Sequence, residues 1–451
     1  MGTSRPSHRG GARSYQSRQD HRGPAAGHTI SMTNTDAHYD CIVIGGGPAG
    51  ATAATVLAQH GRCVTILERD VFPRYHIGES LMPYTWFTFQ RLGVLDWFEQ
   101  AACPKKYSVQ FVSTTGRVSQ PFYFFETIKH PCSLTWQVLR SDFDRMLLDN
   151  ARAKGVEVRQ GATVREVLMD GDRAVGVRAD SAASGSMTLC ADAIIDASGR
   201  DTLLASKLGW KRRDPELRQI AIFTYYRGAT RDPGLDEGAT TIAYLPEKGW
   251  FWYIPLPDGL VSVGVVAEAN YLYRDTRDPE AVFAREADDC IWIADHLRAG
   301  SRVEPVRVTG EFSYRADAIG GNGFCLAGDA FSFLDPVFST GVFMALKSGE
   351  MAADAVHRGL DAGVVTAATF TAYERDMCRA LDQFRQLVLS FYDQAFSFRD
   401  FIRAHPDLQP QLVDALVGNV FTDLGPLFAA LREFSPQASS AEFGQLAGSG
   451  S

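Results

Sequence analysis

The sequence predicts an α/β protein with two fused lobes and a helical C-terminal region. An apolar strand pattern, a glycine-rich turn and a helix pattern of small residues follow one another from Tyr39 to Arg69. Four short strand patterns of antiparallel type occupy residues 219–268. Helical periodicity with many aromatic residues runs through 366–434. The chain has 451 residues, more than one ordinary hydrophobic core holds, which also favours two lobes.

The segment from Tyr39 to Arg69 has the parts of a dinucleotide-binding unit. An apolar run is followed by glycines at G-x-G-x-x-G spacing, a helix pattern and a second apolar run that ends at Glu68. The three glycines permit a tight turn, close approach of a pyrophosphate and close helix–strand packing. The helix N-terminus presents N–H groups to phosphates, and the carboxylate can accept from ribose hydroxyls. A glycine-rich loop that binds no ligand is the alternative. The predicted cofactor contacts here are Gly45, Gly47, Pro48, Ala49, Gly50, Glu68 and Arg69.

Composition and charge exclude several classes of protein. The formal net charge of -8 argues against nucleic acid as a main partner. No run of 18 or more apolar residues is present, so the sequence predicts no membrane-spanning helix. The eight cysteines form no C-x-x-C pair, and we interpret them as reduced core thiols of a cytoplasmic enzyme without a metal site.

Shifts of composition and periodicity suggest the domain boundaries. The first 36 residues are rich in Gly, Ser, Arg and His and poor in large apolar residues, so we expect them to be disordered. Short alternating runs within 156–195 predict a small β-layer, and residues near 278–298 predict one helix. The predicted domains are a disordered extension 1–36, cofactor-binding segments 37–105, 137–215 and 301–365, substrate-lobe segments 106–136 and 216–300, a helical region 366–440, and a disordered tail 441–451.

Four segments far apart in sequence share features of one cofactor site. Besides the glycine turn they are Gln137 with Arg140, Gly328 with Asp329, and Gly341 at the start of a helix pattern. Together they resemble the FAD-binding frame of single-component flavin monooxygenases, a Rossmann-like fold. The resemblance implies that the aspartate bonds the ribityl chain and that Q-x-x-R touches the pyrophosphate and ribityl region. It also implies that the helix N-terminus faces the flavin. The remaining predicted FAD contacts are Ser80, Ala197 and Val342.

One further segment narrows the family. Residues 249–255, Gly-Trp-Phe-Trp-Tyr-Ile-Pro, resemble the W-x-W-x-I-P signature of FAD-dependent halogenases. Two tryptophans at alternate positions could by themselves be one face of a strand. Segments 72–83 (F-P-R-x-x-I-G-E-S-L-x-P) and 335–342 (D-P-V-F-S-x-G-V) are similar to the phenol and pyrrole branch of those halogenases. The predicted substrate-side residues are Trp250, Trp252, Ile254, Pro255 and Phe338.

Lys106 is the predicted catalytic residue. The resemblance places a catalytic lysine about 30 residues beyond the G-E-S loop, in a P-x-K segment before a strand, and Pro104-Lys105-Lys106 matches this pattern. It implies that reduced flavin and O2 give a C4a-hydroperoxide and that halide attack on this group gives hypohalous acid. The lysine would then hold and polarise that acid beside the arene, by an ammonium hydrogen bond or as a chloramine. Lysine suits this role because it has a compact charge and a tunable pKa. A solvated surface lysine is the alternative, and Lys105 fits that description better.

The resemblance also locates the halide and limits the substrate. It maps the halide to backbone around Ser339, Thr340 and Gly341, where N–H groups at a helix N-terminus favour an anion. Tryptophan-type members place a glutamate in this segment, whereas this chain has Phe338. The difference argues against tryptophan as substrate. It fits a phenol or pyrrole, which loses its ring proton without a dedicated carboxylate base.

We therefore expect an FAD-dependent arene halogenase of natural-product biosynthesis, with chloride as the expected halide. Only one dinucleotide fingerprint is found, so FADH2 should come from a separate flavin reductase. A flavin hydroxylase or epoxidase on the same scaffold is the first alternative, and a flavoprotein that binds ligand without turnover is the second. Free and carrier-protein-tethered substrates, bromide, and the oligomeric state stay open.

Overall fold

A computed structural model of the chain describes residues 38–435, apart from 184, 247–248, 311–312 and 394. The predicted disordered extension (1–36) and tail (441–451) lie outside the described residues.

The described chain contains two large β-sheets, two small ones and a set of helices. The strands are β1 (His38–Ile44), β2 (Val64–Glu68), β3 (Lys105–Lys106), β4 (Ser108–Val112), β5 (Phe122–Tyr123), β6 (Thr135–Trp136), β7 (Glu157–Gln160), β8 (Ala162–Asp170), β9 (Arg173–Ser181), β10 (Gly185–Asp196), β11 (Lys211–Arg213), β12 (Gln219–Arg227), β13 (Thr240–Tyr244), β14 (Trp250–Pro255), β15 (Leu260–Glu268), β16 (Ser301–Arg302), β17 (Arg307–Thr309), β18 (Tyr314–Ala316), β19 (Gly320–Gly321), β20 (Phe324–Leu326) and β21 (Ser332–Phe333). The α-helices are α1 (Pro48–Gln59), α2 (Thr85–Leu92), α3 (Leu95–Gln100), α4 (Phe124–Thr127), α5 (Arg140–Ala153), α6 (Leu203–Lys207), α7 (Ala269–Leu272), α8 (Pro279–Asp289), α9 (Ile291–Leu297), α10 (Thr340–Asp361), α11 (Thr371–Tyr392), α12 (Phe398–Ala404), α13 (Gln409–Val417) and α14 (Gly425–Phe434).

The first large sheet is the predicted dinucleotide-binding sheet. Its order is β19-β20-β10-β1-β2-β7, and β1 runs parallel to both β10 and β2. Residues 41–44 are buried on both faces, which explains their unbroken apolar run. Helix α10 packs so closely on α1 that a Cβ at Gly349 would lie 2.3 Å from Ala49 O. The Rossmann-like prediction is confirmed.

The alternating runs within 156–195 do not form a separate small β-layer. β8 pairs with β9, and β9 pairs antiparallel with the first half of β10. The second half of β10 then enters the parallel sheet beside β1. The alternating sequence does not reveal this change of partner, because each half of the strand has an ordinary strand pattern. The single helix predicted near 278–298 is two helices, which meet at Cys290 in extended backbone (φ -90°, ψ 97°).

The second large sheet is the predicted substrate-lobe sheet. Its order is β16-β12-β15-β14-β13-β4-β5, with β17 also paired to β12. Strands β12 to β15 are antiparallel as predicted, whereas β4 joins β13 in parallel. Alternate residues of a strand face opposite sides. Phe251 and Tyr253 therefore pack among the buried residues of α8 and α9, and Trp250, Trp252 and Ile254 face the other side.

The predicted helical region is confirmed over its described part. Helices α11 to α14 follow α10, and Phe384, Leu387 and Leu427 join the core of the parallel sheet. Among the residues that the structure describes, none of the helices combines the length and hydrophobicity that crossing a bilayer requires.

Candidate active site

The glycine turn after β1 depends on two close backbone approaches. Gly45 has φ 98°, and a Cβ there would lie 2.3 Å from Ala197 O. A Cβ at Gly50 would lie 1.9 Å from Gly45 O. Neither position accepts a side chain without a backbone shift. The turn leads into α1, whose first-turn N–H groups have no partner within the helix.

A cavity of about 810 Å³ lies where the carboxyl ends of the parallel strands meet the antiparallel sheet. In open α/β sheets this edge is the usual place for a ligand. Most predicted FAD contacts line the cavity: Gly45, Gly47, Pro48, Ala49, Glu68, Arg69, Ser80, Arg140, Ala197, Asp329, Gly341 and Val342. Three predicted contacts, Gly50, Gln137 and Gly328, lie behind this lining.

The charged groups around the cavity fit a dinucleotide flavin. Glu68 accepts from the N–H of Gly46 at 2.6 Å and is buried at the end of β2. Burial raises the pKa of Asp329 to about 6, although Arg140 opposes that shift. Arg140 is itself buried, and it donates to Asp144 and to the Ile77 carbonyl. The arginine therefore fixes the backbone that leads into the G-E-S loop.

Arg74 is a cavity residue that the sequence analysis did not select. Its Nη2 lies 3.3 Å from the place where a Gly47 Cβ would be, beside the predicted pyrophosphate position. Its Nη1 is 3.3 Å from Asp144 Oδ2, yet makes no hydrogen bond. Arg74 is partly buried and ion-paired with Asp144, and a guanidinium beside the glycine turn suits a phosphate. The sequence feature that could have identified Arg74 is its place in the F-P-R element at residues 72–74.

The predicted halide segment lies at the start of α10. Ser339 has φ 58°, and its N–H already donates to Pro336 O at 2.9 Å. Thr340 and Gly341 are the first two residues of the helix, so their N–H groups have no partner within it. A Cβ at Gly341 would meet no protein atom within 4 Å, and the residue lines the cavity. Of the three predicted halide contacts, Ser339 and Gly341 line the cavity, whereas Thr340 is buried and does not.

Each tryptophan of the W-x-W element is fixed by a hydrogen bond from its indole N–H. Trp252 Nε1 donates to Ser262 Oγ at 3.0 Å, and its ring lies across Gly264, where a Cβ would be 2.4 Å from ring atoms. Trp250 Nε1 donates to Tyr392 OH at 2.8 Å, and Tyr392 donates to Asp335 at 2.9 Å. Burial raises the pKa of Asp335 to about 7. Both indoles are therefore held in fixed orientations on the cavity wall.

Lys106 and Lys105 have opposite environments on β3. Lys106 is 2 % exposed, and its Nζ donates to Ser80 Oγ at 2.8 Å and Leu81 O at 3.1 Å. Burial lowers the pKa of Lys106 to about 7. Lys105 is exposed and pairs with Glu99 at 3.0 Å. The predicted difference in exposure is confirmed.

Ser80 stands between Lys106 and the cavity. The lysine does not line the cavity, whereas Ser80 and Thr240 do. Their hydroxyls are 2.8 Å apart. Gln137, predicted as an FAD contact, instead donates to Thr240 Oγ1 at 2.8 Å and to Gly238 O at 2.9 Å. The ammonium group of Lys106 thus reaches the cavity through a buried hydrogen-bond network.

Comparison with known proteins gives the same family as the W-x-W element. The tryptophan halogenase family matches residues 40–135 and 113–400. The 1H-pyrrole-2-carbonyl-[peptidyl-carrier protein] chlorinase of Pseudomonas fluorescens is 30% identical over 86% of this chain and 91% of its own length. The corresponding brominase of Pseudoalteromonas luteoviolacea is 32% identical over 85% and 92%. The chain belongs to the flavin-dependent halogenases. Such enzymes use FAD, a halide and O2.

Solved halogenase structures have the same architecture. The flavin-dependent brominase Bmp2 matches with a TM-score of 0.80 at 30% identity, over 88% of this chain and 98% of that one. The chondrochloren halogenase CndH matches with a TM-score of 0.75 at 32% identity, over 89% and 95%. The fold and the enzyme class predicted from the sequence are therefore confirmed.

Two substrate-side predictions fall outside the cavity lining of this halogenase. Pro255 ends β14 and does not line the cavity. Phe338 does not line it either, since its ring packs edge-on against Phe391 and Phe398 at 6.0 and 6.3 Å between centroids. The cavity wall instead includes Phe223, which sequence analysis assigned only to a strand.

Proposed function

We propose that this halogenase chlorinates an electron-rich phenol or pyrrole, either free or held as a thioester on a carrier protein. The single observation that supports the proposal most strongly is the buried Lys106, hydrogen-bonded to Ser80 on the cavity wall. Two relatives that match about nine-tenths of their own length act on a carrier-bound pyrrole. Residue 338 is a phenylalanine, so it provides no carboxylate base at the position where tryptophan-type members have a glutamate. This suits arenes that lose the ring proton readily.

Lys106 would polarise the halogen donor next to the arene. Its lowered pKa keeps both the ammonium and the amine well populated near neutral pH. The ammonium form can give a proton to Ser80 Oγ, and the Ser80 hydroxyl can pass a proton to an atom in the cavity. General acid catalysis of this kind contributes about 10²–10⁴-fold in rate. Lys105 points to solvent and has no such connection.

The cofactor site would hold FAD by the glycine turn, Arg74, Arg140 and Asp329. When bound in its reduced form, the flavin supplies with O2 the oxidising equivalent that turns halide into an electrophilic halogen donor. We propose that a separate flavin reductase delivers the reduced flavin, because the sequence holds one dinucleotide fingerprint. Slow reduction of the bound FAD by NADPH alone, followed by stopped-flow absorbance, is the expected result. Rapid reduction would favour the hydroxylase alternative.

The halide would be held by the N–H groups of Thr340 and Gly341. A Cβ at position 341 meets no neighbouring element within 4 Å, so we expect Gly341→Val to preserve the fold. We expect Gly341→Val to raise the halide concentration for half-maximal product formation more than it raises the Kd of FAD. Ser339→Ala is the matched control, since the Ser339 N–H is already bonded to Pro336. Equal losses of halide and FAD binding would show that the segment serves only the flavin.

Mass spectrometry tests the function directly. The enzyme is incubated with a flavin reductase, FAD, NADH, O2 and chloride, together with resorcinol or a pyrrole-2-carbonyl thioester on a carrier protein. The proposal predicts a product that carries one chlorine and disappears when chloride is omitted. An oxygenated product that forms equally well without halide would support the hydroxylase alternative instead.

A further inference from the structure

Asp335 is a buried carboxyl group behind the cavity wall, and each of its oxygens accepts a hydrogen bond. The residue is 0 % exposed. Val337 N–H donates to Oδ1 at 3.0 Å, and the Tyr392 hydroxyl donates to Oδ2 at 2.9 Å. Neither donor is a cation, and burying a carboxylate without a cation is costly. The place of this carboxyl group in the fold therefore needs an explanation.

The first hydrogen bond fixes the turn that leads into the predicted halide segment. Residues Pro336–Phe338 form one turn of 3₁₀ helix, and Asp335 caps its N-terminus. Ser339 follows with φ 58°, a left-handed conformation that residues other than glycine rarely adopt. Such backbone persists only where the surrounding structure holds it. Thr340 and Gly341 come next and begin α10, so the turn determines where their N–H groups lie.

The second hydrogen bond connects this turn to the W-x-W strand through the end of α11. Tyr392 is the last residue of α11. Its hydroxyl accepts from Trp250 Nε1 at 2.8 Å while it donates to Asp335. Trp250 and Val337 line the cavity, whereas Asp335 and Tyr392 do not. A chain of three hydrogen bonds therefore runs behind the cavity lining, from an indole on the wall to the turn before α10.

An aromatic contact runs beside this chain of hydrogen bonds. Phe391 packs edge-on against Trp250 with 6.3 Å between ring centroids, and edge-on against Phe338 with 6.0 Å. Val337, Trp250 and Leu389 belong to the same buried cluster. The end of α11 thus contacts both the W-x-W strand and the halide turn, by a polar route and by an apolar one. It is placed to hold the two at a fixed separation.

We propose that Asp335 and Tyr392 are positioning residues of the halide site, which set the halide turn by tying it to Trp250. This inference rests on the proposed function and extends it to halide selectivity. Neither residue lines the cavity, so both act through the backbone of the turn. A rigid turn holds its N–H groups at a separation that suits one anion radius. A loosened turn should weaken the binding of chloride, the smaller ion, more than that of bromide.

Tyr392→Phe tests the connection, because it removes the hydroxyl between Asp335 and Trp250 and keeps the ring. We expect the chloride concentration for half-maximal product formation to rise about 3- to 10-fold, the range that corresponds to one lost hydrogen bond. The rise for bromide should be smaller. The maximal rate at saturating chloride should fall by less than the half-saturating concentration rises, and the Kd of FAD should not change.

Tyr373→Phe is the matched control, since it removes a buried hydroxyl from the same helix. Tyr373 donates to Leu326 O at 2.8 Å, in β20 of the parallel sheet and not in the halide turn. The control should lower the melting temperature as Tyr392→Phe does, yet leave the half-saturating chloride unchanged. Chloride binding is also measured without turnover. The absorbance of bound oxidised FAD is followed during a chloride titration, with potassium acetate keeping the ionic strength constant.

A double-mutant cycle tests whether Tyr392 acts through Asp335. Asp335→Ala removes both hydrogen bonds and should raise the half-saturating chloride more than Tyr392→Phe does. Adding Tyr392→Phe to Asp335→Ala should cause no further rise, because the hydroxyl has already lost its partner. Asp335→Asn keeps one acceptor for Val337 N–H, so its effect should be the smaller one. It replaces the alanine variant if that variant does not fold, and Tyr392→Phe should then have less effect than it has in the wild type.

Several results would overturn the inference and leave the proposed function standing. These are an unchanged half-saturating chloride in Tyr392→Phe, an equal rise in Tyr392→Phe and Tyr373→Phe, and additive effects in the cycle. An equal rise for chloride and bromide would overturn the extension to selectivity. A wild-type enzyme that forms no halogenated product from resorcinol or from the carrier-bound thioester would overturn the proposed function itself.

Discussion

The two walls of the cavity are stabilised in different ways. On the cofactor wall the critical contacts are made by backbone, as where Gly50 approaches the Gly45 carbonyl. On the substrate wall the critical contacts are made by buried side chains that are far apart in sequence. Lys106 contacts Ser80 across 26 positions, and Trp250 contacts Tyr392 across 142. Damage to the first wall should therefore abolish flavin binding, whereas damage to the second should spare it.

Gly50→Ala should have the largest effect, because it damages the cofactor wall. The added Cβ would lie 1.9 Å from Gly45 O, so α1 must move away from the glycine turn. We expect purified protein without FAD, no halogenation, and a free energy of unfolding lowered by about 1–3 kcal/mol or more. Absorbance at the flavin bands measures the FAD content, and denaturant unfolding measures the free energy of unfolding. Gly310→Ala is the control, since a Cβ there meets nothing within 4 Å. Normal FAD content in Gly50→Ala would contradict the proposed packing.

Gly264→Ala should damage the substrate wall alone. Its Cβ would lie 2.4 Å from both Phe223 Cβ and the Trp252 ring, so the indole must tilt and lose its bond to Ser262. We expect halogenation to fall about 10–100-fold while the Kd of FAD stays the same.

A second substitution separates packing from orientation at this position. The smaller ring of Trp252→Phe should relieve the clash with the indole but not the one with Phe223 Cβ, so the double variant should regain part of its thermal stability. It should remain poorly active, because the phenyl ring has no N–H for Ser262. Recovery of both stability and activity would show that the indole N–H has no role.

The burial of Lys106 also predicts a pH dependence of stability. Its pKa is lowered to about 7 in the folded protein and is about 10.4 in an unfolded chain, so the unfolded state binds more protons between these values. The free energy of unfolding of the wild type should therefore rise by on the order of 4 kcal/mol through this residue as the pH rises from the folded-state pKa to the unfolded-state pKa. Methionine does not titrate, so the free energy of unfolding of Lys106→Met minus that of the wild type should decrease by the same amount over this pH range. A difference that does not vary with pH would show that the lysine is ordinarily solvated.

The cofactor wall could be predicted from sequence because local spacing determines it. The glycine spacing, the apolar β1 and the carboxylate at the end of β2 all lie within 31 residues, from Tyr39 to Arg69. The substrate wall could be predicted only in part. The resemblance selected the tryptophans and Lys106, but no local pattern joins Trp252 to Ser262 or Tyr225 to Glu79. The surroundings of Gln137 could not be predicted for the same reason, since its contacts to Gly238 and Thr240 exist only after the sheet has folded.

The most direct measurement compares flavin oxidation with halogen transfer in Lys106→Ala. Reduced enzyme is mixed with O2, chloride and the arene, and flavin absorbance and chlorinated product are followed in the same sample. Flavin reoxidation at a near wild-type rate is predicted, with product reduced by about 10²–10⁴-fold. Lys105→Ala should match the wild type in both. Product at the wild-type rate in Lys106→Ala, or equal loss of flavin reoxidation and product, would contradict the assignment of Lys106 to halogen transfer.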